Sequence, residues 1–349
     1  LACAAQCRLS RRRNGAATDA VVVLDELIAS GDSVDVYGVD SAHDTLELQI
    51  RIAGYRWSPS IVLNPRQIDK PNIDRRVNDN DDDEDDDDDD DDEDDGEHAR
   101  GSRRVTDYER LPMLVLRVDE KSAPLCLRVD TSWQIDSGGA LDWSVTPFRI
   151  SVFAPYWFVN RTGHALKFAA ERDVRWRSAS VVNAKSWSCA AGDAIDGFDD
   201  NVAPFMYSYD DVAVDKRHRR ARHRTCVQVE ESRWSKAFSL DSPGTVGALE
   251  IPNGQRAALP SLVYELGVTI DLCGGAFYRS KLIQFAPRFV VRNVCDSVLL
   301  LRQRTRDDDV MLTLQPGQKR ALHWRDAAAP LEAELCLKEL CEWSCAMPL

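Results

Sequence analysis

The sequence has no run of the ~18 to 20 consecutive apolar residues that a helix needs to cross a bilayer. Its start lacks the charged and apolar regions of a signal peptide. Nucleophile-elbow, zinc-protease, phosphate-loop and dinucleotide-binding motifs are also missing. We therefore expect a cytoplasmic chain that is not an enzyme and holds no cofactor.

Cysteine occurs ten times, but without a Cys-x-x-Cys pair or a matching pair of histidines. This usage is typical of reduced, structural thiols in the cytosol. The tightest group, Cys336, Cys341 and Cys345, lacks a fourth ligand at the spacing of a zinc site. The sequence predicts no metal site.

The sequence also lacks an excess of basic over acidic residues. The formal charge is -14, but the run Asp81 to Asp95 supplies 15 of the 58 carboxylates and leaves 43 against 44 basic residues (58 minus 15). A nearly neutral body does not fit a nucleic-acid binder, which needs a basic face against the phosphates. The acidic run repels itself and buries no apolar surface, which predicts a disordered insert near residues 77–103.

One basic segment interrupts the second half of the chain, near residues 215–224. Its cationic side chains are Lys216, Arg217, Arg219, Arg220, Arg222 and Arg224. We expect a flexible loop. The alternative is contact with anionic membrane lipids, since each such residue near a charged bilayer contributes ~1 kcal/mol.

Alternation of apolar and polar residues is the dominant pattern. Between Leu46 and Ile52 every second residue is apolar, and the pattern returns at 264–272 and 331–337. Shorter apolar runs, 114–118 and 125–129, flank a turn that contains Pro124. This period indicates half-buried strands, and no long segment has helical periodicity. The sequence predicts an all-β fold.

Internal repetition divides the chain into units. Three strand patterns end in Trp-Ser, at Trp57, Trp234 and Trp343. Gly31 and Gly317 each lie 26 residues before the Trp of their unit (57 minus 31; 343 minus 317). The middle unit is longer because it contains the basic loop, and insertions fall in loops of repeat folds. A period above 100 residues is too long for a solenoid turn or a propeller blade, and favours tandem small β-sandwich modules with long disordered insertions.

Two similar apolar segments open the units, Phe153 to Asn160 and Phe285 to Asn293. With the Trp-Ser endings they predict a partial β module at 1–149 with the acidic insert, a complete module at 150–284 with the basic loop, and the start of a further module at 285–349.

Candidate functional residues follow from these motifs. An indole buries a large area, so the predicted core anchors are Trp57, Trp157, Trp234 and Trp343. Asn160 and Asn293 each end an apolar strand, where an amide side chain can hold backbone groups of the following turn. Such an Asn would also set the shape of a groove for an extended peptide.

The sequence from Phe148 to about Arg304 resembles the adaptor-binding region of the vacuolar protein sorting-associated protein 13 family. The matching residues are Ala154-Pro155-Tyr156-Trp157, Asn160-Arg161-Thr162-Gly163, Trp234-Ser235 with Phe238-Ser239-Leu240-Asp241 and Gly244-Thr245, Tyr264 to Val268, and Phe285 to Phe289 with Asn293. The resemblance implies a string of β-rich modules, each with a characteristic Asn, that binds proline-containing adaptor peptides of the Pro-x-Pro type.

The family resemblance therefore implies targeting rather than catalysis. It predicts a segment that directs a bridge-like lipid transfer protein to organelle contact sites, peripheral to their membranes, in vacuolar protein targeting and Golgi retention. Two alternatives stay open: a purely structural spacer rod, and a module that binds anionic lipids. No opening Asn is clear in the first unit, where Asn14 is a weak candidate.

Overall fold

A computed structural model of the chain describes residues 4–13, 20–37, 39–40, 43–63, 111–119, 124–133, 148–171, 174, 187–189, 204–209, 224–254, 262–304, 310–326 and 328–348. Regular structure in these ranges is almost entirely β-strand, with a 3-10 helix at Gly275–Phe277. The predicted all-β class is confirmed. The acidic insert, Asn14 and most of the basic loop lie outside the described residues.

The first module has two antiparallel sheets. One has the order β2-β1-β3-β4, formed by β1 (Ala4–Arg13), β2 (Val21–Ala29), β3 (Asp44–Ile52) and β4 (Ile61–Leu63). The other has the order β5-β6-β7, formed by β5 (Met113–Leu116), β6 (Leu125–Trp133) and β7 (Phe148–Phe153). On β3 the apolar residues at alternate positions are buried, as the period-two pattern predicts.

The second module is the most complete. Its first sheet, β10-β9-β12-β13, is formed by β9 (Leu166–Ala170), β10 (Trp187–Cys189), β12 (Arg224–Val229) and β13 (Phe238–Ser239). Its second sheet, β11-β8-β16-β15-β14, is formed by β8 (Tyr156–Asn160), β11 (Phe205–Tyr207), β14 (Gly244–Pro252), β15 (Val263–Leu272) and β16 (Lys281–Pro287). The pair β8 and β16 is parallel, so the opening and closing strands of this module lie side by side.

The third module repeats the beginning of this plan. A ribbon pairs β17 (Phe289–Arg292) with β20 (Lys319–Leu322), and a four-stranded sheet, β19-β18-β21-β22, is formed by β18 (Leu299–Gln303), β19 (Leu312–Leu314), β21 (Glu332–Leu337) and β22 (Met347–Pro348). The three four-stranded sheets share one strand order, and in each the Trp-Ser segment lies between the last two strands of the sheet in chain order. The sequence repeat is thus a repeat of structure.

Each module packs an apolar core between its sheets. Phe158, Phe168 and Phe285 are fully buried in the core of the second module, where their rings lie 4.8 to 5.3 Å apart. On β8 the neighbouring side chain, Trp157, points the other way and is buried in the core of the first module. The second sheet of the second module therefore closes two cores, one on each face.

Strands with defined partners cover both predicted module boundaries. β7 pairs with β6 of the first module and ends at Phe153, whereas β8 begins at Tyr156. β16 pairs with β15 and ends at Pro287, so only Arg288 separates it from β17. The positions 149 and 284 fall inside β7 and β16.

Candidate functional site

Asn160, the last residue of β8, is 3% exposed and holds the turn that follows. Its Nδ2 donates to the carbonyl of His164 at 2.7 Å. Its Oδ1 accepts from the backbone N–H of Thr162 at 3.0 Å and from the hydroxyl of Thr162 at 2.7 Å. One buried amide therefore fixes the four residues that lead into β9.

Asn293 occupies the same place after β17 and is fully buried. Its Nδ2 donates to the carbonyls of Ser297 at 2.9 Å and Leu314 at 3.0 Å, and its Oδ1 accepts from the N–H of Cys295 at 2.9 Å. The contact with Leu314 ties the turn to the end of β19. Both predicted asparagines thus lie at strand ends and bond backbone groups of their turns.

The turn stapled by Asn160 also lies at the junction between the second and third modules. The ring of His164 is 5.3 Å from that of His323, and Tyr264 lies 5.2 Å from both. His164 Nδ1 lies 2.8 Å from a carboxylate oxygen of Glu230. Two imidazoles and a phenol thus meet where the modules join.

His323 is the unusual member of this junction. Neither of its ring nitrogens has a hydrogen-bond partner among the described residues. Burial, and then the neighbouring His164, lower the pKa of His323 from 6.5 to about 4. Burial, and then Glu230, raise the pKa of the Tyr264 phenol. The surroundings of His323 therefore favour the neutral form of its imidazole.

Two further contacts connect the second and third modules. The N–H of Val263 donates to the carbonyl of Trp324 at 3.0 Å, and these residues form an isolated β-bridge. Arg288 Nη1 lies 2.9 Å from a carboxylate oxygen of Glu265, which is 5% exposed at its side chain. Only the carboxylate of this ion pair is buried, since the Arg288 side chain is 46% exposed.

The predicted tryptophan anchors differ in where they lie. Trp157 is buried, as described above, but Trp57, Trp234 and Trp343 are only half-buried and belong to none of the three core clusters. The guanidinium of Arg8 lies 4.6 Å from the ring centre of Trp57, and that of Arg302 lies 4.2 Å from that of Trp343. A guanidinium group therefore lies against each of these two indoles, which is a different environment from an apolar core.

The serine of each Trp-Ser pair makes the contact that sequence reasoning missed. The hydroxyl of Ser58 accepts from the N–H of Ile50 at 3.0 Å, that of Ser235 from Val227 at 2.9 Å, and that of Ser344 from Leu335 at 3.0 Å. In each case the serine N–H also donates to the carbonyl of the same partner. The sequence feature that could have predicted this contact is the serine that follows each repeated tryptophan.

An open sheet edge runs to the junction of the second and third modules. β14 is the outermost strand of its sheet and pairs with no other strand on its outer side in the described part of the chain; at its end the N–H of Arg233 donates to the carbonyl of Pro252 at 2.9 Å. Leu249 and Ile251 of β14 point into the core, and Gly244, Gly247 and Ala248 are exposed. A Cβ added at Gly244 or Gly247 would meet nothing within 4 Å, so there is room on the face of the strand at these positions.

The basic loop contributes little to the described structure. Lys216, Arg217, Arg219, Arg220 and Arg222 lie outside the described residues. Arg224 begins β12 and donates to the carbonyl of Ala237 at 2.5 Å. No group of three or more His, Cys, Asp or Glu side chains within the described ranges is placed to hold a metal ion. No helix in these ranges is long and apolar enough to span a membrane.

The chain is thus of the class of proteins built as a string of β-sandwich modules with short connections. In two of its modules a buried asparagine holds a turn. Over residues 1–349 the chain matches the family described as vacuolar-sorting associated protein 13, adaptor binding domain. The chain belongs to this family, which confirms the resemblance.

Curated relatives of the chain are much longer proteins. The intermembrane lipid transfer protein VPS13 of Chaetomium thermophilum is 28% identical over 235 residues, covering 66% of this chain and 6% of the relative. Human VPS13D, also an intermembrane lipid transfer protein, is 25% identical over 188 residues, covering 50% of this chain and 4% of the relative. The protein vps13E of Dictyostelium discoideum is 26% identical over 101 residues, covering 29% and 2%. The chain thus spans a small fraction of the relatives it matches.

Proposed function

We propose that this chain is an adaptor-binding segment that targets a bridge-like lipid transfer protein to organelle contact sites, rather than an enzyme. Membership of the adaptor-binding family supports the binding role, and the names of the relatives support the link to lipid transfer. Roles in vacuolar protein targeting and Golgi retention, and a cytoplasmic place peripheral to membranes, follow from the same proposal.

The partner we propose is a proline-containing adaptor peptide that lies along the edge of β14. This edge is the observation that carries the proposal, because an open strand offers backbone donors and acceptors to an extended peptide. Proline fits an added edge strand when its missing N–H faces solvent. The small exposed residues Gly244, Gly247 and Ala248 leave space for its ring.

In this proposal Asn160 and Asn293 do not touch the peptide. They act indirectly, by holding the strands of the binding module in position. Both are buried and use their amide groups within their own turns. They fix where β8 and β17 end. Partial loosening of these turns would reduce peptide affinity by moving the strands.

Titration of a labelled Pro-x-Pro peptide against the whole chain tests the proposal. We expect binding that is lost when both prolines are replaced by alanine, and weakened by Ala248→Lys, since lysine on an edge discourages strand addition. The matched control is Ala29→Lys, an exposed alanine on the edge strand β2 of the first module. Absence of binding at high micromolar concentration would favour the spacer rod. Equal loss in both lysine variants would remove β14 as the site.

Lipid contact through the basic loop is an alternative to adaptor binding rather than a result that we expect. Of its six cationic residues only Arg224 is described, and that side chain bonds a backbone carbonyl of its own module. Salt-sensitive binding of vesicles that disappears when Lys216, Arg217 and Arg219 are neutralised would establish it.

A further inference from the structure

One face of the β17–β20 ribbon carries different side chains from the corresponding face of β8 in the second module. Trp157 and Val290 both lie three residues before the stapling asparagine of their modules (160 minus 157; 293 minus 290). Val159 and Arg292 both lie one residue before it. Trp157 and Val159 are buried, whereas Val290 is 45% exposed and Arg292 is exposed. The fold position is the same, but in the third module it faces solvent.

Cationic side chains are concentrated on this ribbon. Arg292 pairs directly with Lys319 across the two strands, so these two side chains share a face, whereas Arg320 pairs with Val291 and lies on the opposite face. All three cations are exposed, and none of their side chains has an ion-pair or hydrogen-bond partner among the described residues. Like charges opposite each other destabilise a strand pair. Such a pair, with no ionic partner within the described ranges, presents two positive charges to a ligand outside the chain.

Apolar side chains lie next to these cations. Val290 is on the same face of β17 as Arg292, two residues away, because side chains alternate along a strand. Val294, in the turn after Asn293, is 79% exposed. Charged groups beside exposed valines match the boundary between phospholipid headgroups and acyl chains. A soluble acidic peptide would use the charges but would leave the valines without a partner.

We propose that the β17–β20 face of the third module is a contact surface for an anionic phospholipid membrane, carried by Arg292 and Lys319 with Val290 and Val294 at its apolar part. This surface shares no residue with the basic loop or with the β14 edge. The chain has a formal charge of -14, so a membrane of the same sign attracts it only through a local basic face. The contact would orient the chain on a bilayer independently of any adaptor.

Vesicle flotation with the whole chain tests this surface. The probes are phosphatidylcholine vesicles with and without about one third phosphatidylserine, at low and raised salt. We expect binding only to the anionic vesicles, weakened by salt. The double variant Arg292→Gln, Lys319→Gln should reduce affinity by about ten- to thirtyfold. Its melting temperature should not fall, because the opposed Arg292 and Lys319 charges are removed.

The matched control is Lys216→Gln, Arg217→Gln, which removes the same number of charges from the basic loop. We expect it to bind vesicles nearly as the unchanged chain does. Val294→Asp should also weaken binding, while Val62→Asp, at an exposed valine of the first module, should not.

Several results would overturn the proposal. Equal binding to neutral vesicles, or no binding to anionic ones, would exclude an anionic membrane as the partner. Loss of binding in the basic-loop variant alone would assign the contact to that loop. Binding of polyglutamate without binding of vesicles would identify an acidic polypeptide instead. None of these measurements contains a proline peptide, so they fail or succeed independently of the adaptor titration.

Discussion

The turn after β17 offers a direct measurement of what a buried asparagine contributes. Asn293 makes three hydrogen bonds to backbone groups, of 2.9 to 3.0 Å, and its side chain is fully buried. Serine is shorter and carries one hydroxyl, which can still accept from the N–H of Cys295 as short polar side chains do in turns. It cannot reach the carbonyls of both Ser297 and Leu314. Asn293→Ser therefore leaves two acceptors to be satisfied in another way.

The expected cost follows from those two lost bonds. A net hydrogen bond contributes about 0.5 to 1.5 kcal/mol, and an acceptor left buried costs about 1 to 3 kcal/mol. The carbonyl of Ser297 is in a partly buried contact and can turn to water, whereas the contact with Leu314 is buried. We expect Asn293→Ser to reduce the free energy of unfolding by about 2 to 3 kcal/mol.

A urea titration read by linear extrapolation measures this loss. The control is Asp296→Ser, an exposed residue of the same turn, which should stay within about 0.5 kcal/mol of the unchanged chain. Asn160→Ser should behave like Asn293→Ser, since its amide also donates to a backbone carbonyl. If Asn293→Ser costs no more than the control, the amide does not hold the turn. Lost stability with unchanged peptide affinity would place adaptor binding away from these modules.

Two further predictions concern the junction and the Trp-Ser segments. The pKa of His323 is lowered from 6.5 to about 4. The free energy of unfolding therefore does not depend on this histidine's protonation above about pH 6.5. It falls by about 3 kcal/mol as the pH drops from 6.5 toward 4, because the unfolded chain binds the proton more readily than the folded chain. The melting temperature of His323→Phe should therefore fall less over this range than that of the unchanged chain, and parallel curves would contradict the assignment. Ser235→Ala should cost about 1 to 2 kcal/mol in a denaturant melt, because the fully buried Val227 loses the hydroxyl that accepts its N–H. Ser242→Ala, at an exposed position, is the control, and equal stability of the two variants would refute that role.

The strands and the repeat could be read from the sequence because both are local patterns. The structure has β3, β15 and β21 where the alternating pattern predicts strands. On β3 the predicted apolar face is the buried one, whereas on β21 Cys336 of the predicted polar face is buried and Leu331 is 42% exposed. The repeat was predictable because the Gly and Trp motifs of the first and third units have equal spacing, and because the extra length of the middle unit lies in a loop. The module boundaries could not be placed as well, because β7 and β16 are assigned to a module by their pairing with distant strands.

The tryptophans show why composition alone does not locate a core. A repeated indole is compatible with burial between sheets and with a place at a sheet edge under an arginine, and the sequence does not distinguish them. Trp343 lies under Arg302, 41 residues away in the chain (343 minus 302). Only the sheet register brings such partners together. The small serine beside each tryptophan makes the more regular contact.

The junction of the second and third modules was outside the reach of sequence reasoning for a similar reason. His164, Tyr264 and His323 occupy no repeated motif, and each comes from a different segment. Nothing in the spacing of the three residues predicts that they meet. The two asparagines were predictable because each ends an apolar strand, a position at which a side-chain amide has a defined use.

The parallel pairing of β8 with β16 determines how a module responds to tension along the chain. β8 begins the second module and β16 ends it, and they are matched over five register positions from Lys281 and Tyr156 to Phe285 and Asn160. Parallel strands that are pulled from opposite ends slide along each other, so the load falls on all the hydrogen bonds of the pair together rather than on one bond after another. With Arg288 as the only residue between β16 and β17, that load passes directly into the next module.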